Sequence, residues 1–273
     1  MRIITEKIDI PRLGRKGVMR VLLPDGHGGD GNDYPVLYMQ DGHNLFDPQA
    51  SSYGRTWRVR EALEAEAAAG RPCRLIVVGV DSPHGGTWRM DEYSPWVNRE
   101  IGEMRDLTGI ESAGGRGQAY AEFIALDLAP AIESRFGAST SREGRFVAGS
   151  SMGGLIALYM GFSMPERFSA LGAFSTATWF AKRELFAFLR ARVEELGNRA
   201  PAVYADVGAR ETINPAKAGF PARYLEEARE LFVILGPRAR NRYLVDEEGD
   251  HSEDAWARRF PGFLAWLRGV AGI

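Results

Sequence analysis

Residues 145–161 read RFVAGSSMGGLIALYMG. The run at 145–148 has the length of a buried strand, and the apolar run from Leu155 onward suits a helix. Between them Gly149, Ser150, Ser151, Met152 and Gly153 spell G-x-S-x-G, a pattern in which a strand turns sharply into a helix with serine at the apex. Such a turn needs small neighbours, because side chains at 149 and 153 would run into the adjoining strand and helix. Ser151 is therefore a candidate nucleophile, and the helix start offers the Met152 amide to a developing oxyanion. With 32 glycines in 273 residues the bare pattern is weak evidence. A tightly packed or anion-binding helix start would match it too. Its place between a strand and a helix, near mid-chain, is what points to catalysis.

Outward from this stretch, short apolar runs alternate with helical patterns. Strands are expected at 36–39, 75–80, 145–148, 170–174, 202–207 and 242–246. Helices are expected at 56–69, 119–135, 152–161, 181–196, 221–235 and 253–267. Two further strands at 3–10 and 18–23, with a turn around Gly14–Gly17, suggest an antiparallel hairpin at the start. Strand–helix alternation implies crossover connections, hence a mostly parallel sheet of eight strands with helices on both faces. No repeat or linker divides the chain, so 1–273 is expected to form one α/β domain. The polar, glycine-rich stretch 98–116 is a candidate cap loop, with an idle surface loop as the alternative.

Chemistry in such a sheet gathers at the carboxyl ends of the strands. The histidines are His27, His43, His84 and His251, and only His251 follows Ser151. An acid and then a histidine are expected downstream of the serine, so His251 is the candidate base. A surface histidine capping the last helix is the plain alternative. For the acid, 202–211 offers Asp206, inside the expected strand, and Glu211, in the turn beyond Gly208. Reach from a loop favours Glu211, with Asp206 as runner-up. The loop after 36–39 supplies the second oxyanion donor, for which the His43 amide following Gly42 is the candidate. Asp41 and Asn44 beside it, and Trp88 and Trp179 beyond other strand ends, are candidate substrate contacts. A tryptophan is more often core.

Composition narrows the partners. A net charge of −2 gives no footprint for nucleic acid or an anionic membrane surface. No apolar stretch approaches the ~18 residues needed to span a bilayer. The N-terminal residues lack the apolar core of a secretory signal, which makes the cytoplasm the expected compartment. Cys73, the single cysteine, excludes an intramolecular disulfide and a cysteine-based metal or redox pair. The chemistry above needs no metal or organic cofactor, and none is expected.

Six stretches carry a wider resemblance: YPVLYMQDGHNLFD (34–47), DEYSPW (91–96), GQAYAEFIALDLAPAIESRF (117–136), GSSMGG (149–154), DVGARE (206–211) and GDHSEDAW (249–256). In this order, over nearly the whole chain, they resemble the enterochelin-esterase and feruloyl-esterase-like branch of the α/β-hydrolase superfamily. The resemblance implies an α/β-hydrolase fold and a serine esterase, with Ser151 as nucleophile, Glu211 as acid and His251 as base. It also implies a small-molecule ester as substrate, on a carbohydrate, aryl or siderophore scaffold. The branch is similar to mycolyl transferases as well, so acyl transfer to an alcohol is an alternative expectation. A non-catalytic binding protein is a third, disfavoured by intact Ser151, Glu211 and His251.

Overall fold

The computed structural model describes residues 1–29, 33–102, 109–211 and 220–273. An eight-stranded sheet runs through it, and its strands alternate their side chains between two apolar layers. In β3 (Val36–Met39), Val36 and Tyr38 enter one layer while Leu37 and Met39 enter the other. The same alternation places Ile76 and Val78 of β4 (Ile76–Val80) on the first side and Val77 on the second. A strand covered on both faces must be apolar at every position, which is why these strands read as unbroken apolar runs.

β1 (Arg2–Ile10) pairs antiparallel with β2 (Arg15–Leu23), and β2 antiparallel with β4. From there the pairing is parallel: β4 to β3, then β7 (Arg145–Ser150), β8 (Ala170–Phe174), β9 (Ala202–Gly208) and β10 (Arg242–Asp246). The hairpin turn lies earlier than Gly14–Gly17. Pro11–Leu13 form a single 3-10 turn, Gly14 closes it in the left-handed region, and Gly17 already pairs with Ile8. Proline pre-sets the turn and glycine ends it without a Cβ penalty.

The second layer is closed by α1 (Val59–Ala68) and by the last helix, α8 (Glu253–Ala271), through Val59, Leu63, Phe260, Phe263 and Leu267. The first is closed by Gly117–Phe136, α5 (Met152–Ser163), α6 (Lys182–Leu196) and α7 (Phe220–Leu235). Segment Gly117–Phe136 is continuous but changes pitch: α3 (Gly117–Glu122), a π-type stretch at Phe123–Leu128, then α4 (Ala129–Phe136). Pro130 in the first turn of α4 has no N–H to donate, so the hydrogen-bond ladder has to re-register around it.

Short elements among the described residues that were not expected include α2 (Trp88–Glu92) and a ribbon of β5 (Val97–Asn98) with β6 (Ala113–Gly114). The ribbon spans the base of the expected cap at 98–116, of which 103–108 lie outside the described residues. No helix among the described residues is long and apolar enough to cross a membrane.

Candidate active site

β7 ends at Ser150 and α5 begins at Met152, so Ser151 is the whole connection. Its backbone sits at φ 57°, ψ −121°, a region non-glycine residues enter at a cost of roughly 1–3 kcal/mol. The surroundings hold it there. The Ser151 amide donates to the Phe174 carbonyl at 2.9 Å, and its own carbonyl accepts from Ala177 at 3.0 Å. A Cβ on Gly149 would lie 2.7 Å from the Gly153 carbonyl and from Gln40 Cγ. On Gly153 it would lie 3.0 Å from Gln40 Cβ, and on Gly154 2.9 Å from Thr176 Oγ1. Met152 opens α5, where first-turn amides have no partner within the helix.

His251 lies in the turn that leads into α8, which Ser252 caps by accepting from the Ala255 amide. The His251 ring stands between Tyr224 and Trp256, with centroids 5.3 and 5.1 Å away. Its Nδ1 bonds Glu211 Oε2. A carboxylate can only accept, so toward it Nδ1 is the donor, and in a ring that carries one proton the lone pair then falls on Nε2. The other oxygen of Glu211, Oε1, accepts from the Gly208 amide at 2.9 Å and from the Ser175 hydroxyl.

Of the two downstream carboxylates, then, Glu211 reaches the ring. Asp206 turns toward the Ser175 amide (3.3 Å) and the Arg259 guanidinium (3.5 Å). Burial pushes the Asp206 carboxyl up to about 7 even though Arg259 pulls it down, and the Glu211 charge adds to the rise.

Ser151 and His251 line one cavity of about 610 Å³, well within the usual range for small-molecule sites. Asp41, His43, Asn44 and Trp179 line it as well. Gly42 is needed there for close approach rather than for a left-handed turn: a Cβ would meet the Gly79 backbone of β4 at 2.7 Å. The left-handed residue is Asp41, at φ 54°. Trp88 is not among the lining residues and stands 51% exposed on α2. Its neighbour Arg89 takes the wall position instead, with a bidentate grip on Asp41, both bonds 2.7 Å. Burial opposes the charge on Asp41, but Arg89 overrides it and holds the carboxyl below its ordinary range.

Among the wall residues with no counterpart in the sequence candidates are His84, Glu253 and Trp256. His84 lies with its ring centroid 5.1 Å from that of His43, whose pKa burial lowers. Burial raises the Glu253 carboxyl to about 7, and Glu253 Oε1 accepts from Asn44 Nδ2 at 3.1 Å. Glu253 and Trp256 follow His251 closely in GDHSEDAW and could have been inferred from that nearness. The Asp41–Arg89 pair, 48 residues apart, leaves no such local signal. None of the described residues of 98–116 lines the cavity.

The mostly parallel eight-stranded sheet, layered by helices and carrying a serine elbow at a strand end, is the architecture of the α/β-hydrolase esterases. The chain belongs to the family described as Putative esterase, which matches residues 10–267. It is 23% identical over 251 residues to the uncharacterized protein YbbA of Bacillus subtilis (strain 168), covering 90% of each chain. A siderophore triacetylfusarinine C esterase of Aspergillus fumigatus is 29% identical over 148 residues, which are 54% of this chain and 45% of that protein. Among solved structures, the IroE-like serine hydrolase from Shewanella oneidensis superposes with a TM-score of 0.76 at 20% identity, covering 99% of this chain and 80% of that one. The family and its relatives support ester hydrolysis as the chemistry of this chain.

Proposed function

We propose that the chain is a serine carboxylic-ester hydrolase in which Ser151, His251 and Glu211 act as nucleophile, base and acid. The observation that carries this reading is the Glu211–His251 bond, which leaves the imidazole a free lone pair at the cavity that Ser151 also lines. His251 takes the Ser151 proton as the hydroxyl attacks the ester carbonyl. The Met152 and His43 amides stabilise the tetrahedral oxyanion, and removing one such donor typically costs roughly 3–4 kcal/mol. His251 then protonates the departing alcohol. Water cleaves the acyl-enzyme by the reverse proton route, while Glu211 keeps the ring in one tautomer.

The wall around Ser151 favours a polar substrate. Asp41, Arg89, Asn44, His84 and Glu253 line it alongside Trp179. An ester of a hydroxyl-bearing alcohol, on a sugar, aryl or siderophore scaffold, fits that lining. The test is a panel of acetylated sugars, feruloyl esters and siderophore esters, assayed with wild type and with Ser151→Ala. Wild type is expected to release free acid from at least one class, and Ser151→Ala to lose that turnover while melting at the wild-type temperature. Full turnover in the variant would remove Ser151 from the mechanism.

A further inference from the structure

Ser175 follows β8 with φ 44°, a left-handed conformation in a residue that is not glycine. This twist aims its amide at Asp206, bonding the backbone carbonyl at 2.9 Å and Oδ1 at 3.3 Å. Its hydroxyl enters the buried space beneath His251. There it accepts from Trp256 Nε1 at 2.9 Å and from Arg259 Nη2 at 3.0 Å. An indole N–H and a guanidinium can only donate, and a hydroxyl has two acceptor lone pairs and one proton. With both lone pairs used, the proton has one destination, Glu211 Oε1.

Every partner here is buried: Ser175, Glu211, Asp206, Arg259 and Trp256. Arg259 lies 3.9 Å from Glu211 Oε1 and 3.5 Å from Asp206 Oδ2, so a single cation faces two carboxylates. Asp206 Oδ2 and Arg259 Nε and Nη1 have no hydrogen-bond partner. Buried polar sets of this kind add little to stability compared with an apolar core of the same volume. A strained residue and an incompletely satisfied charge cluster therefore point to another use. Trp256 and Arg259 lie one turn apart on α8, which begins directly after the His251 turn, so the helix that donates to Ser175 also anchors the segment that holds the ring.

We propose that Ser175 and Arg259 are positioning residues, a hydrogen-bond relay of fixed direction that locks Glu211 Oε1 and leaves Oε2 to hold the His251 ring. The inference rests on the triad reading above. The relay acts on Glu211 alone and has no contact role with substrate.

The test is a double-mutant cycle with p-nitrophenyl acetate as substrate. Ser175→Gly relaxes the left-handed backbone while deleting the hydroxyl. It is expected to lower kcat roughly 10–100-fold, by analogy with the loss when an outer hydrogen-bond partner of a metal-ligating residue is removed, with KM unchanged. In a Glu211→Gln background the same change is expected to alter kcat by less than about twofold, because residues acting as one unit are not additive. Should Ser175→Gly fail to fold, Arg259→Lys keeps the charge, withdraws the Nη2 donor from the hydroxyl and is read through the same cycle. A kcat near that of wild type in the single variant, or equal losses in both backgrounds, overturns the relay. Labelling of Ser151 by a fluorophosphonate separates the two readings. If Ser151 is labelled and Ser151→Ala is inert while the cycle is additive, only the relay fails. If Ser151→Ala stays active, the triad itself fails.

Discussion

Glu211 leaves β9 three residues past Gly208 and folds back, its Oε1 on the Gly208 amide and its Oε2 on His251. Asp206 sits within β9 opposite Phe174, held by the sheet on both sides. The two carboxylates are thus separated by backbone position rather than by chemistry. Glu211→Gln should lower kcat by a factor of up to about 10⁴, as when a triad carboxylate is neutralised with its geometry kept. Asp206→Asn should act mainly on stability, and in a pH-dependent way. Folded Asp206 keeps its proton until about 7, whereas an unfolded aspartate releases it near pH ~4. Between those values the folded state binds the extra proton, so this group's contribution is full below the lower value and is lost as pH rises through the upper one. The melting temperature of Asp206→Asn, taken relative to wild type at each pH, should therefore climb between about pH 4 and 7 and level off above that. Taking the difference cancels groups such as His43, whose lowered pKa works the opposite way. A constant difference would contradict the assignment.

At the scale of elements, the elbow depends on three glycines with different neighbours. Gly149 faces Gly153 and Gln40, Gly153 faces Gln40, and Gly154 faces Thr176 and the Phe174 carbonyl. Gly149→Ala places a Cβ 2.7 Å from the Gly153 carbonyl, backbone against backbone with no flexible side chain to yield. The turn must open, so kcat should fall by more than the melting temperature alone would suggest. Measuring both on the same preparation checks this. The elbow was legible in sequence because its requirements are local. The parallel strands were legible for a related reason: burial on both faces leaves strands such as Val36–Met39 and Ala170–Phe174 apolar throughout. β2 begins at Arg15 rather than 18 because its pairing with β1 continues across polar positions that carry no apolar signal. α2 and the β5–β6 ribbon are too short to impose a period. The Ser175 contacts join residues 36, 81 and 84 positions apart, and no spacing rule reaches that far.

Over the whole molecule, α8 joins the site to the core. Its N-terminal end follows directly on the His251 turn and carries Trp256 and Arg259, and further along Phe263 packs between Phe174 and Tyr204, with centroids 5.5 Å from each. Gly172 leaves room for that ring, since a Cβ there would lie 2.8 Å from it. Phe263→Ala should cost roughly 3–5 kcal/mol of stability in urea unfolding, the usual loss for a large buried aromatic. Turnover measured well below the new melting point should stay near wild type. Loss of turnover without loss of stability would mean that the far half of α8 is coupled to the site in some other way.

The central claim is that Ser151 is the nucleophile, activated by His251. Its most direct measurement is intact-protein mass spectrometry after treatment with a fluorophosphonate, followed by peptide mapping. One adduct per chain is expected, on the peptide containing Ser151, with labelling slowed severely in His251→Ala and absent in Ser151→Ala. An adduct at another residue, or an unlabelled protein that still hydrolyses esters, would contradict the account.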